Sequence, residues 1–152
     1  MSGIWNKIMT DALKKVIETS TFTLLDGRFI YAKVKTAPPI DEHFMVSQDK
    51  DEITVVTKEE NLSKLDLIEK NKDYWSLISL NLSSPFYCPG FLAAASSAIA
   101  DKGMDILIVS TYSKDYLLVI YEHREQAEQI LLDMGFKRSA ILKFPEGLRK
   151  PD

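Results

Sequence analysis

The sequence predicts an α+β fold, and the clearest evidence lies in residues 74 to 144. The spacing of apolar residues changes there between the period of a strand and that of a helix, in the order strand, helix, strand, strand, helix, strand. Gly103 and Gly135 each follow a helical segment, where glycine commonly ends a helix. This order of elements predicts the ferredoxin-like split βαβ arrangement, βαββαβ.

An amphipathic N-terminal helix is predicted for residues 2 to 18. Apolar residues recur at helical spacing from Trp5 to Ile17, and polar and charged residues fill the opposite face. Such a face must be buried against another surface. Two interpretations are open: the helix packs on the protein's own sheet, or it docks on a second subunit.

The next segment, residues 21 to 73, predicts a β-rich module with little helix. The apolar period changes to two after Thr21, Asp26-Gly27 is a turn signal, and Pro38-Pro39 marks a loop. Residues 58 to 73 predict a short helical turn, a loop and an edge strand. The other predicted strands are Phe29–Lys35, Phe44–Ser47 and Ile53–Thr57.

The elements of the second half have sharper boundaries. Pro89-Gly90 opens an alanine- and serine-rich helix, because proline suits the first helical position. Two strongly apolar strands separated by four residues predict a hairpin. The predicted strands are Tyr74–Leu82, Asp105–Thr111, Tyr116–Tyr121 and Ser139–Phe144, and the predicted helices are Pro89–Lys102 and His123–Met134.

Composition narrows the possible classes of function. The 152 residues carry a net charge of -3, which disfavours a general nucleic-acid binder. The single cysteine, Cys88, cannot form an internal disulfide, so we expect a cytoplasmic protein. The sequence contains no run of about 18 apolar residues, so it predicts no membrane-spanning helix. We therefore expect neither a nucleic acid nor a membrane as partner.

Residues 89 to 119 combine a helix, a glycine turn, a strand ending in Ser110-Thr111 and a second strand that opens with Asp115. This stretch resembles the ACT domain. More narrowly, it is similar to the paired ACT modules of small bacterial and archaeal proteins related to the cytosolic arginine sensors. The N-terminal half resembles a shortened first module of that family, through Phe29–Val34, the Pro38-Pro39 loop and residues 51 to 56. The likeness covers roughly residues 21 to 136.

The resemblance implies a division of the chain and a non-catalytic regulatory role. The implied parts are an N-terminal helix at 1–20, a degenerate ACT-like module at 21–73, an ACT domain at 74–144 and a tail at 145–152. ACT domains bind an amino acid or similar small ligand between modules and usually form homodimers or larger homo-oligomers. The alternative is an interaction module that has kept the fold and lost the ligand, and Lys114, which replaces a small polar residue, favours it.

The resemblance also implies the site residues. Free N–H groups at the start of the helix suit the carboxylate of an amino acid, because the helix dipole favours an anion there. A carboxylate and two hydroxyl groups of the hairpin suit its ammonium group. Each residue also has a purely structural interpretation, as helix cap, turn or ordinary strand residue. The predicted ligand-binding residues are Pro89, Gly90, Phe91, Ser110, Thr111 and Asp115.

Catalysis, a cofactor and a metal find little support in the sequence. No phosphate-binding loop or nucleophile-elbow motif occurs. Nothing in the sequence places His43 or His123 beside Cys88, and the acidic residues near the histidines lack a recognisable metal-ligand spacing. We therefore expect a protein that is not an enzyme and has no cofactor.

Overall fold

The computed structural model describes residues 9–83, 88–139 and 142–143. Its first half contains helix α1 and five strands, with a short 3-10 helix at Glu59–Lys64 before the fifth. The helix and strands are α1 Asp11–Glu18, β1 Thr21–Asp26, β2 Phe29–Val34, β3 His43–Gln48, β4 Ile53–Lys58 and β5 Leu67–Lys70.

The second half follows the predicted order of elements. Its parts are β6 Trp75–Asn81, α2 Phe91–Ala100, β7 Ile106–Ser110, β8 Asp115–Ile120, α3 Arg124–Met134, β9 Lys137–Arg138 and β10 Leu142–Lys143. A 3-10 turn at Tyr121–His123 joins β8 to α3. The predicted hairpin is confirmed, because β7 and β8 pair antiparallel. No helix in the described parts of the chain is long and apolar enough to cross a membrane.

Strand β6 lies in the middle of the sheet, and its two neighbours come from different halves of the chain. On one side it pairs with β8, and β7 lies beyond β8. On the other side it pairs with β1, which in turn pairs in parallel with β9 and β10. A simple split βαβ unit would place its last strand directly beside its first. Here β1 occupies that edge of β6, so an N-terminal strand completes the C-terminal sheet.

The predicted last strand, Ser139–Phe144, differs from the structure. Pairing with β1 occurs at Lys137–Arg138 and again at Leu142–Lys143, and Ser139 lies in neither strand. Residues 140, 141 and 144 to 152 lie outside the described residues. The end of the chain therefore contacts β1 in two short stretches.

Asp26-Gly27 makes a bend rather than a hairpin turn. Leu24 pairs with Ile78 and Phe29 with Trp75, so β1 and β2 both run antiparallel to β6 along the same edge. The β1–β2 side has two more residues than β6 between those pairs, so the chain bends away from β6 there. Gly27 has a φ of 99°, a left-handed conformation that glycine adopts without a steric penalty.

The sheet buries apolar side chains on both faces. Helices α1, α2 and α3 cover one face, where the core includes Phe22, Ile78, Leu80, Leu117 and Val119. Strands β3 and β4 extend from β2 and cover part of the other face, where Phe44 packs edge-on against the Tyr116 ring at 4.7 Å between ring centroids. The two halves of the chain thus share their cores.

Helix α1 packs on the protein's own core. Leu13 and Ile17 are 1% and 0% exposed and contact the helix-covered face of the sheet. The helix begins at Asp11, because the side chain of Thr10 accepts a hydrogen bond from the Leu13 N–H and so caps it. Residues 2 to 8 of the predicted helix, with Trp5, lie outside the described residues.

Candidate ligand-binding site

The predicted site residues of the hairpin lie at the end of the sheet where β6 ends. Asp115, the first residue of β8, pairs with Leu80 on one side and with Ser110, the last residue of β7, on the other. Strand β6 ends one residue later, at Asn81. The topology therefore brings the end of β6 and the β7–β8 hairpin together.

The start of α2 is built by glycine and by a buried phenylalanine. Gly90 is the N-cap residue with a φ of 85°, and it has no side chain to cap the helix. Phe91 is 4% exposed, and its ring packs edge-on against Phe136 at 5.7 Å. Its N–H donates to the Cys88 carbonyl at 3.1 Å. The expectation of a free N–H at Phe91 is therefore wrong, and Phe91 is a core residue.

Two other N–H groups remain available in the first turn of α2. Leu92 and Ala93 precede the first intrahelical bond, in which the Ala94 N–H donates to the Gly90 carbonyl at 2.8 Å. The N–H groups of Leu92 and Ala93 have no partner outside the helix among the described residues. Pro89 has no N–H to offer. An anion at this helix start would accept hydrogen bonds from the N–H groups of Leu92 and Ala93, because Gly90 has no side chain to block its approach.

In the hairpin, the predicted polar groups bond to one another. The Ser110 hydroxyl donates to Asp115 Oδ1 at 2.6 Å. The Thr111 N–H donates to the Lys114 carbonyl at 2.8 Å, and its hydroxyl donates to the same oxygen at 3.3 Å. Asp115 is half-buried, and its second carboxylate oxygen has no hydrogen-bond partner in the described part of the protein. Ser110 thus orients Asp115 and leaves one oxygen free to accept.

A polar network beside this end of the sheet was not predicted from the sequence. The Asn81 side-chain amide donates to the hydroxyls of Thr21 and Thr23 at 3.1 and 3.0 Å, and Ser79 donates to Asn81 at 3.1 Å. Ser139 contacts the Thr23 hydroxyl and donates to the Phe22 carbonyl. Thr21-x-Thr23 and Ser79-x-Asn81 are strand-period signals, but only the pairing of β1 with β6 brings them together.

The candidate catalytic and metal-ligating groups do not form a centre within the described residues. Cys88 is half-buried and packs against the helix-covered core. His43 lies on β3, where its Nδ1 is 2.9 Å from the Thr57 hydroxyl, and burial lowers the pKa of its imidazole. No three side chains of His, Cys, Asp or Glu converge as metal ligands in the described ranges.

The ACT domain family model matches residues 71–133, the segment from just before β6 to the end of α3. The match covers somewhat less than half of the chain and includes every predicted site residue. The mixed α+β topology of this segment is of the ACT-like, ferredoxin type. No curated protein sequence matches the chain significantly.

Three solved structures place the fold in context. A Vibrio cholerae protein of unknown function, described as a possible transport protein, is 22% identical with a TM-score of 0.71, over 82% of this chain and 96% of that one. A protein from Agobacterium tumefaciens is 22% identical with a TM-score of 0.66, over 80% and 92%. The ligand-free regulatory subunit of aspartate kinase from Thermus thermophilus is 14% identical with a TM-score of 0.55, over 76% and 96%. These likenesses show a shared fold.

Proposed function

We propose that this chain is a non-catalytic regulatory protein that binds an amino acid or a similar small ligand. The observation that carries the proposal is the ACT domain match over residues 71–133, because it spans the end of β6, the start of α2 and the β7–β8 hairpin. The structural likeness to a regulatory subunit of aspartate kinase supports it. The cytoplasm is the compartment we propose.

In this proposal each part of an amino acid has a complementary group at the start of α2 or in the β7–β8 hairpin. The carboxylate accepts from the N–H groups of Leu92 and Ala93, where the helix dipole favours negative charge. The ammonium group donates to the free oxygen of Asp115, which Ser110 holds in place. Gly90 lets the ligand approach the helix backbone. The Thr111 hydroxyl is a further proposed contact. Pro89 contributes by fixing the backbone conformation before the helix.

A homodimer formed through β7 completes the proposal. Strand β7 pairs only with β8 among the described strands, so its other edge presents unpaired backbone groups. Its Ile108 side chain is 39% exposed. An exposed apolar edge strand is a template for pairing with another chain. Ligand that binds one assembly state more tightly shifts the equilibrium towards that state, and a regulated partner would respond to this change.

The division of the chain also belongs to the proposal. We propose an N-terminal helix, a shortened ACT-like module at 21–73 and an ACT domain at 74–144, as in the paired modules of the cytosolic arginine sensors. In this division β1 belongs by sequence to the first module and by pairing to the second. The tail at 145–152 lies outside the described residues.

A second candidate function is an interaction module without a ligand. The hydrogen bond from Ser110 to Asp115 favours it, because one oxygen of the carboxylate then has a hydrogen-bond partner without any ligand. Lys114 at the turn favours it as well. In that case the β7 edge would still join two copies or a partner, and no amino acid would bind.

A thermal-shift screen of the full chain against the common amino acids tests the proposal, with titration calorimetry on each hit. A ligand at a hundred times its dissociation constant stabilises the protein by about 2.7 kcal/mol. Asp115→Ala should abolish the shift. Asp105→Ala removes an exposed carboxylate just before β7, at the opposite end of that strand, and should preserve it.

The same samples distinguish the two candidates. Light scattering after size exclusion should show a dimer, and Ile108→Lys should give a monomer because it places a charge at the apolar edge. A dimer that no amino acid stabilises at millimolar concentration would favour the interaction module. A hit that Asp115→Ala leaves unchanged would move the site away from the hairpin.

A further inference from the structure

Strand β3 departs from regular strand geometry at Phe44. His43 pairs with Thr57 of β4. The next pair in the register is Met45 with Val56, so Phe44 has no partner in β4. Such a bulge leaves one extra residue outside the pairing and changes the direction of its side chain. Consecutive side chains of a regular strand point to opposite faces, yet Phe44 and Met45 both pack against the apolar cluster on the side of the sheet away from the helices. The bulge therefore turns the Phe44 ring towards the sheet.

The backbone just before Phe44 has an unusual conformation. Glu42 has a φ of 71°, and it is the only residue other than glycine with a left-handed φ in the described ranges. Residues with a side chain rarely adopt this conformation, and it persists only where the surrounding structure enforces it. Strain of this kind is concentrated at ligand-binding and switch regions of proteins. The strained backbone and the bulge thus occur together, within the three consecutive residues 42 to 44.

Side chains of β4 and of the 3-10 helix that follows it hold this strained segment in place. The Glu42 carbonyl accepts from the Asn61 amide at 3.0 Å, and the Glu42 carboxylate binds Lys64 Nζ at 2.5 Å. His43 is 4% exposed, and its Nδ1 lies 2.9 Å from the Thr57 hydroxyl. That hydroxyl also accepts from the Asn61 amide at 2.9 Å. The two residues before the bulge are therefore anchored.

The Phe44 ring contacts the strand that begins with the candidate ligand-binding carboxylate. It packs edge-on against Tyr116, with 4.7 Å between the ring centroids and an angle of 66° between the rings. Tyr116 is the second residue of β8 and directly follows Asp115. Because side chains alternate along a strand, Asp115 lies on the helix-covered side with Leu117, and Tyr116 lies on the opposite side. The Phe44 ring thus supports β8 from the side of the sheet opposite Asp115.

We propose that Phe44 is a positioning residue for the candidate amino-acid site and that β3 regulates the affinity of this site. The Phe44 ring holds Tyr116 and so orders the start of β8, where Asp115 accepts the ammonium group of the ligand. This inference rests on the proposed function. A partner that displaces β3 removes the ring contact and lowers the affinity, because an ordered hairpin binds the ligand more tightly than a mobile one. By linkage, ligand binding strengthens the attachment of β3 to the same extent.

Amide hydrogen exchange of the ¹⁵N-labelled full chain tests the positioning role without any ligand. Phe44→Leu keeps an apolar side chain and removes the ring, so local opening of the hairpin at residues 109–116 should become about fivefold more frequent. Met45→Leu changes the next side chain, which packs against the same cluster outside the ring pair, and should leave these rates within about twofold. Amides that exchange by local opening do not respond to a loss of global stability alone.

Ligand affinity is measured on the same variants with the panel of common amino acids at millimolar concentration. For each amino acid that stabilises the parent protein, Phe44→Leu should raise the dissociation constant about fivefold, and Met45→Leu should leave it within about twofold. Phe44→Tyr keeps a ring against Tyr116 and should retain the parent affinity. In a Tyr116→Leu background, Phe44→Leu should have little further effect, because the two side chains act through one contact. Additive effects of these two substitutions would overturn the proposal.

Failure of the proposed function gives a different result from failure of this inference. If no amino acid of the panel stabilises the parent protein, the proposed function and the regulation of affinity are both refuted, while the exchange rates still decide whether Phe44 orders the hairpin. Unchanged exchange at residues 109–116 in Phe44→Leu, or an equal change in Met45→Leu, would overturn the positioning role. An unchanged dissociation constant of a bound amino acid in Phe44→Leu would overturn it as well.

Discussion

Phe22→Ala tests whether β1 is a structural part of the C-terminal half. Phe22 is 0% exposed and pairs with Leu80 of β6 on one side and with Arg138 of β9 on the other. Its ring belongs to the core beneath the three helices. The substitution therefore leaves a cavity between elements of both halves, although Phe22 lies outside the segment that matches the ACT domain.

The expected loss follows from complete burial. Replacing a fully buried phenylalanine by alanine lowers the free energy of unfolding by about 3–5 kcal/mol. The total free energy of unfolding of such a domain is about 5–15 kcal/mol, so the loss is a large fraction of it. The unfolding temperature should fall by roughly 6 to 20 °C. Ile68→Ala, at a side chain 48% exposed on β5, is the control and should cost less than about 1 kcal/mol.

Urea unfolding measured by far-UV circular dichroism and by tryptophan fluorescence gives the free energies. Both signals should change together, because the two halves share their cores and unfold as one unit. The fragment 71–139 should not fold, since it lacks β1 and the buried Leu13 and Ile17 of α1. A loss below about 1 kcal/mol for Phe22→Ala, or cooperative unfolding of that fragment, would refute this account of β1.

Two further predictions concern single residues. Burial lowers the pKa of His43 below its usual 6.5, so the unfolded chain binds the proton more readily and the free energy of unfolding falls as the pH drops below 6.5. Urea titrations at several pH values should show that the free energy of unfolding falls less at low pH in His43→Gln than in the parent protein. An equal fall in both proteins would contradict this role of His43. Gly90→Ala should lower the free energy of unfolding by about 1–2 kcal/mol because of the φ of 85°, and thermal unfolding should show a smaller loss for Gly90→Asn, which tolerates that conformation better. Equal losses for both variants would count against backbone strain as the cause.

Local sequence signals predicted the second half well. The period of the apolar residues gave the helices and strands from β6 to α3, and Gly135 ends α3 with a φ of 115° as a C-terminal glycine should. The hairpin also followed from short-range pattern, although the predicted connection at 112–115 is shifted by one residue from the observed one at 111–114. In each case the residues that determine the element are neighbours in the chain, so their spacing carries the information.

The candidate site was predictable in part. The sequence placed Ser110, Thr111 and Asp115 at one hairpin, and the structure shows Ser110 bonded to Asp115. Phe91 was assigned to the site, but its ring meets Phe136, a residue distant in sequence.

The sequence by itself determined the class of fold, the order of elements in the second half and the residues of the hairpin. Only the tertiary structure decided that β1 lies between β6 and the last strands, and that Asp26-Gly27 is a bend instead of a turn. Strand pairing depends on backbone hydrogen bonds, which are alike for nearly every residue type, so the apolar pattern shows that a strand exists without naming its neighbour. The neighbour is set by which faces the helices and strands bury together.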